Sequence, residues 1–223
     1  MSARAASIWK ALTDDEFIRW WWLGVFFGDG NVKWKSPSQV TIHFGLCGEL
    51  KDQMLRYVGA WGVAPHSRSP DFYQVFCNSL QIGTWLRDAY GIDGPKSSLL
   101  KVPEEIRHAS NPRFWHFLRG YFDTDGSASA TYSKAGYFAP QVSFSSNSVQ
   151  LLEDVCALLE ERLVFGRIDR SAKCHKLVIR RMNSICRLYD LLYSFDGPHL
   201  TRKREKMSEI VKYALARSNY RQP

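Results

Sequence analysis

The apolar residues of this chain change period in a regular order. From about Asp14 to Asp29 they run almost without a break into "WWWLGVFFGDG". A helix that is apolar all round must be buried on every side. Thr13 is placed to cap that helix, with Asp14, Asp15 and Glu16 in the first turn, where the helix dipole favours acids. Period-two alternation over Asn31 to Lys35 and Gln39 to Leu46 then predicts a strand pair. Helical spacing returns over Glu49 to Val58 and stops at Gly59 and Gly62. A second hairpin is expected over His66 to Arg68 and Phe72 to Cys77, and a helix over Leu80 to Tyr90. The unit reads αββαββα.

The same order recurs. Asn111 and Pro112 open a helix that reaches Asp123. Strands over Ser127 to Thr131 and Tyr137 to Ser145, a helix over Val149 to Leu159, a hairpin within Phe165 to Arg181 and a helix over Ser184 to Tyr193 follow. The recurrence is also literal: "WLGVFFGDGNV" pairs with "LRGYFDTDGSA", matching Gly24 to Gly120, Asp29 to Asp125 and Gly30 to Gly126, each 96 positions apart. An identical Asp-Gly-Pro closes both blocks at Asp93 and Asp196. The expected organisation is an N-terminal arm (1–13), a first repeat (14–93), a linker (94–111), a second repeat ending in a helix over Thr201 to Ala216 (112–216), and a tail (217–223).

Composition narrows the partners. The 223 residues are 45% hydrophobic and carry a net charge of +8, a field that attracts polyanions. No apolar run approaches the roughly 18 residues a membrane span requires, and the longest ends at Gly28. Five scattered cysteines without C-x2-C spacing argue against a disulfide framework or zinc site and for a reducing, intracellular compartment. The N-terminus reads as mature, without a secretory core. No nucleophile elbow, P-loop or dinucleotide fingerprint occurs.

The repeated block carries the chemistry. Gly24 and Gly28 are four apart, as are Gly120 and Thr124, so each helix has a stripe of small residues where another backbone can approach. The simplest partner for each helix is its own repeat. Such a pairing brings Asp29 and Asp125 together at two helix C-termini, where a carboxylate opposes the dipole by roughly 0.3 to 1 kcal/mol and its neighbour repels it. A divalent cation resolves the conflict, since Mg²⁺ takes one or two carboxylates and completes its shell with water and phosphate oxygens. Two symmetry-related acids suit a substrate with two symmetry-related phosphates, and duplex DNA supplies one on each strand.

The two blocks resemble the nine-letter motif of the LAGLIDADG homing endonucleases, sharing its third-position glycine and closing Asp-Gly. The sixth letter, often acidic in that family, is Asp123 in the second copy but Phe27 in the first. The resemblance implies an α+β fold of two tandem αββαββα repeats, each with a four-stranded antiparallel sheet, joined across the paired helices into a saddle for DNA. It implies a monomer that cuts both strands of a long double-stranded target across the minor groove and leaves short 3′ overhangs. Mg²⁺ would be held by Asp29 and Asp125 with the neighbouring Gly28 and Thr124, and Mn²⁺ or Ca²⁺ could occupy the same sites. The family's basic residue would be Lys203 in the second half and Lys101 in the first, with Lys96 as a fallback. An RNA maturase or a non-cleaving DNA-binding protein on the same fold is the alternative.

Strand alternation suggests which side chains would meet a groove. They are Lys33 and Lys35, then Gln39, Thr41 and His43, then His66 and Arg68. The counterparts are Ser127, Ser129 and Thr131, then Gln141, Ser143 and Ser145, then Arg167 and Asp169, with Lys176 and Arg180 beyond. These are hydrogen-bonding residues at period two, on ribbons of a kind that can enter a major groove.

Overall fold

A computed structural model describes residues 2–67, 69–94, 100–132, 136–171 and 174–219, with side chains to residue 216. Helix α1 (Ala3–Asp14) precedes α2 (Glu16–Asp29), strands β1 (Gly30–Ser36) and β2 (Gln39–Cys47), helix α3 (Gly48–Val58), strands β3 (Gly62–Pro65) and β4 (Phe72–Asn78), and helix α4 (Leu80–Tyr90). A 3-10 turn (Glu104–Ile106) lies in the linker. The second repeat runs α5 (Pro112–Asp125), β5 (Gly126–Tyr132), β6 (Phe138–Ser146), α6 (Val149–Glu160), β7 (Arg167–Asp169), β8 (His175–Ile179), α7 (Met182–Tyr193) and α8 (Thr201–Asn219). The two antiparallel sheets have matching orders, β1-β2-β4-β3 and β5-β6-β8-β7. The α+β duplication expected from the sequence is therefore present.

The N-terminal segment is not an arm. Ser2 caps α1 by accepting from the Ala5 N–H, and Ala5, Ile8 and Leu12, at helical spacing, are buried. Thr13 is no cap, because its hydroxyl donates back to the Trp9 and Lys10 carbonyls in the last turn of α1. Asp15 caps α2 instead, accepting from Phe17 and Ile18. The third strand also shifts, to Gly62–Pro65, where Val63 pairs with Val75. His66 follows that strand, its N–H donating to the Phe72 carbonyl at 3.0 Å. Helix α8 continues past Ala216 to Asn219, so the tail begins later than the apolar spacing suggested.

Helices α2 and α5 pack backbone to backbone. A Cβ on Gly24 would lie 2.0 Å from the Phe117 carbonyl oxygen, and one on Gly120 would lie 2.0 Å from that of Trp21. No side chain larger than hydrogen fits at either crossing point. Around this seam the first repeat builds an aromatic core: the Trp22 ring centroid lies 5.4 Å from Phe26, 5.8 Å from Phe44, 6.2 Å from Trp61 and 6.0 Å from Trp85. The density of tryptophan ahead of the first Asp-Gly is thus a packing feature, with one exception. Trp21 crosses the seam, and its indole N–H donates to Asp123 at 3.0 Å.

Candidate functional site

Asp29 and Asp125 are the last residues of α2 and α5, each partly exposed at the same end of the helix pair. The glycine after each acid is required for space, not for an unusual backbone. Gly30 and Gly126 have ordinary φ values of −76° and −82°. A Cβ there would meet the ring of Phe26 at 2.3 Å or of Phe122 at 2.1 Å. One residue before the acids, Gly28 and Thr124 face each other across the seam, where a Cβ on Gly28 would fall 1.7 Å from the Thr124 hydroxyl.

Lys203 enters this end from α8. Its ammonium donates to the carbonyls of Phe122, Asp123 and Thr124 at 2.7, 2.8 and 3.0 Å, capping the terminal carbonyls of α5 that lack helical partners. Burial pushes its pKa down to about 8, while Asp123, Asp29 and Asp125 pull it up and Arg202 lowers it further. The terminal acids are the smallest of these influences, and the geometry places the ammonium at the C-terminal carbonyls of α5, next to Asp125 in sequence.

The two lysines expected to be equivalents stand in different surroundings. Lys203 is 7% exposed. Lys101 is exposed on the rim of a cleft lined by Phe27, Tyr90, Leu100, Pro103, Glu104 and Glu105. Lys96, the fallback, lies outside the described residues, as does Arg68.

Behind the acids lies a buried polar cluster that periodicity did not expose. Asp123 is 2% exposed and accepts from Trp21 and, at 2.9 Å, from the Leu200 N–H that leads into α8. Burial raises its pKa to about 6 against the opposing pull of these two donors, Lys203 and Arg119. Arg119 is fully buried and donates to the carbonyls of Phe195 at 2.9 Å and Asp196 at 3.2 Å. In the first repeat the position equivalent to Asp123 is Phe27, packed edge-on against Phe117 at 5.2 Å. Asp123 thus joins α2, α5 and the start of α8.

The donors at the helix ends suit a hard divalent cation as far as they go. The set is two carboxylates and the Gly28 main-chain carbonyl, all hard oxygen donors, and among the described residues no group of three or more His, Cys, Asp or Glu could hold a metal ion. Ions of the Mg²⁺ type accept such a set, filling the rest of the shell with water and substrate oxygen.

The open faces of the sheets carry most of the expected groove residues. On the first, Lys33 and Lys35 of β1 and Gln39, Thr41 and His43 of β2 alternate with buried Val32, Val40 and Ile42. The same face includes Asn78 of β4, one residue beyond the strand the sequence suggested, and Thr41 donates to its side-chain oxygen at 2.7 Å. Burial and the charge of Lys33 lower the pKa of His43. On the second, Ser127, Ser129 and Thr131 are exposed on β5, and Lys176 is exposed on β8. Arg167 is paired with Asp169 at 3.0 Å, and Arg180 donates to Gln141 at 3.0 Å. Ser143 shares this face, paired with Ser127 and Val178, but is buried at 4% exposure. His66 sits in the β3–β4 connection and not on a strand.

Residues 116–193 match the LAGLIDADG-like domain. No curated protein matches the chain in sequence. Its fold is that of solved LAGLIDADG meganucleases. I-AabMI bound to uncleaved DNA is 13% identical, with a TM-score of 0.60 over 90% of this chain and 91% of that one. I-SmaMI bound to cleaved DNA is 14% identical, with a TM-score of 0.60 over 90% of each chain. I-SmaMI bound to an uncleaved target in the presence of calcium ions is 12% identical, with a TM-score of 0.57 over 90% and 92%. The second repeat therefore carries a LAGLIDADG-like domain, and the whole chain has the two-domain meganuclease fold.

Proposed function

We propose that this chain is a monomeric, site-specific homing endonuclease that hydrolyses one phosphodiester in each strand of a long double-stranded DNA target and requires a divalent metal. The observation that carries the reading is the placement of Asp29 and Asp125 at the ends of two backbone-packed helices, with the buried Lys203 ammonium on the carbonyls that close the second. The DNA-bound states of I-AabMI and I-SmaMI, and the calcium present with the latter, support it.

Asp29 and Asp125, with the Gly28 carbonyl, would hold the ion, while the Thr124 carbonyl, expected as the matching ligand, already accepts from the Lys203 ammonium. A divalent cation supplies Lewis acidity at a phosphoryl oxygen and a more acidic attacking water. The chain's own residues orient and polarise. The helix seam fixes the separation of the two acids, Asp123 and Leu200 hold α8 in place, and Lys203 brings positive charge to the second acid's helix end. The sheets' open faces, with Lys33, Lys35, Lys176 and Arg180, would track the duplex on either side. Phosphates that face each other across a minor groove are offset along the two strands, so cleavage there would leave short 3′ overhangs. A net charge of +8 speeds encounter with the polyanion.

The test uses duplexes recovered by in vitro selection with the purified protein. Wild type should cut both strands with Mg²⁺ and neither with EDTA. Asp29→Asn and Asp125→Asn should each abolish double-strand cleavage while binding in a gel-shift assay persists. Full cleavage by either variant, or metal-independent cleavage, refutes the reading. Binding without any metal-dependent product would leave a DNA-binding protein on the same fold.

A further inference from the structure

We propose that two braced side chains, Asn78 and Arg180, occupy equivalent places in the two sheets and read different bases, an adenine and a guanine, at symmetry-related positions of the DNA target. This rests on the DNA-binding reading above and goes beyond it in naming the readers and the bases.

The equivalence follows from register. In the first sheet Gly30 pairs with Phe44 and Lys33 with Thr41. In the second Gly126 pairs with Phe144 and Ser129 with Gln141. Each second pair lies the same number of rungs from the glycine that follows a terminal acid, so Thr41 and Gln141 correspond. The matching Gln-Val dipeptides at Gln39 and Gln141 suggest a register two residues away from this, because β1 and β2 are joined by a tighter turn than β5 and β6. On the next strand Thr41 stands opposite Asn78. Val142 stands opposite Ile179, which places Gln141 beside Arg180. Both corresponding pairs carry a cross-strand side-chain hydrogen bond, Thr41 to Asn78 at 2.7 Å and Arg180 to Gln141 at 3.0 Å. Asn78 and Arg180 are both exposed.

The chemistry of each brace selects a base. Thr41 donates to Asn78 Oδ1, leaving that oxygen a second lone pair and leaving the Nδ2 amide hydrogens to donate. An acceptor beside a donor is complementary to the N6 amino group and N7 of adenine. Arg180 uses Nε for Gln141, so its two terminal nitrogens remain as parallel donors, complementary to O6 and N7 of guanine. A side chain already held by a neighbour loses less freedom on binding than an unbraced one. The fold is a pseudo-symmetric duplication, yet these paired positions differ in type, so the target departs from a palindrome at that step.

The experiment is selection of randomised duplexes by the whole protein, with sequencing of the bound pool. Wild type should enrich adenine at one position and guanine at its symmetry mate in the other half-site. Asn78→Ala should reduce the first preference on the order of 10- to 100-fold without altering the second, and Arg180→Ala the reverse. Gln141→Ala should weaken the guanine preference in part, with Arg180 still present but unbraced. The double variant Thr41→Gln with Asn78→Arg should move guanine preference into the first half-site. An unchanged base profile in Asn78→Ala and Arg180→Ala, or a loss spread evenly over all sequences as for a phosphate contact, overturns the assignment. Failure of wild type to enrich any duplex overturns the DNA-binding reading itself, and this assignment with it.

Discussion

His116 lies between two rings, stacked on Phe17 at 4.5 Å and tilted against Phe195 at 4.0 Å, and is only 6% exposed. Burial, with Arg119 close by, pushes its pKa down to about 3 from the usual 6.5. Between those values the unfolded chain binds the proton and the folded chain does not, so stability falls as the pH drops below 6.5. From pH 6.5 to 5 the loss from this one group is about 2 kcal/mol. Urea unfolding at the two pH values should show that extra loss in wild type and its absence in His116→Phe, which keeps the stack. Equal losses in both proteins would refute it. Asp123 poses a different constraint, because it accepts from two N–H donors at once. Asp123→Asn would set an amide N–H against one of them and leave a buried donor unsatisfied, at about 1 to 3 kcal/mol. Thermal denaturation at pH 7.5 would register this as a lower midpoint, and an unshifted midpoint would contradict the geometry. Lys203 adds a functional test at the same scale. Lys203→Met removes the charge at the α5 end that carries Asp125 and should reduce cleavage far more than DNA binding in matched assays, whereas a parallel fall in both would assign the lysine to binding.

Among the elements, the α2–α5 pair is the most sharply specified. Gly24→Ala or Gly120→Ala would drive a methyl into a carbonyl oxygen 2.0 Å away, and the helices would have to separate. Overpacking of this kind costs about 1 to 3 kcal/mol, and here the obstacle is backbone, so the upper end is expected. Differential scanning calorimetry should show a fall in Tm of several degrees for each, and a variant with unchanged Tm would show that the seam is loose. This pair was legible in the sequence because duplication marks it: matched glycines, matched acids and a helix with no polar face leave little else to pack there. Strands β1, β2, β4 and β5 and helix α4 were legible from periodicity for a similar reason, a clean switch between period two and period 3.6. Helix α1 was legible in retrospect from Ser2 and the Ala5, Ile8, Leu12 spacing, but its alanine pairs carry too little hydrophobic contrast to stand out. Strand β3 was not, since Gly62 and Pro65 bound a stretch with turn chemistry at both ends. The Asp123 cluster and the braced pairs were illegible for a stronger reason. Trp21 with Asp123 and Gln141 with Arg180 are contacts far apart in the chain, and register decides them.

At the scale of the molecule, each repeat is incomplete without the other. The first repeat turns Trp21, Gly24, Val25 and Gly28 towards α5, and the second turns Phe117, Gly120, Tyr121 and Thr124 towards α2. Residues 1–94 alone would expose that apolar seam over the length of α2, and would also leave the Trp21 indole without its Asp123 acceptor. Residues 100–219 alone would lose the Trp21 donor to Asp123 and expose the face of α5 that packs on α2. Neither half should therefore persist as a folded monomer. The first half has a route open to it, since its helix already carries the glycine that a two-fold copy of itself would require, and self-pairing is its expected fate. Size-exclusion chromatography with light scattering should find residues 1–94 as dimers or larger species. Co-expression with residues 100–219 should instead give a one-to-one complex, because only that pairing satisfies both Trp21 and Asp123. A monomeric first half with a cooperative unfolding transition would show that the seam joins two independent domains. A one-to-one complex that regains metal-dependent cleavage would show that the two acids need the paired helices and not the continuity of the chain.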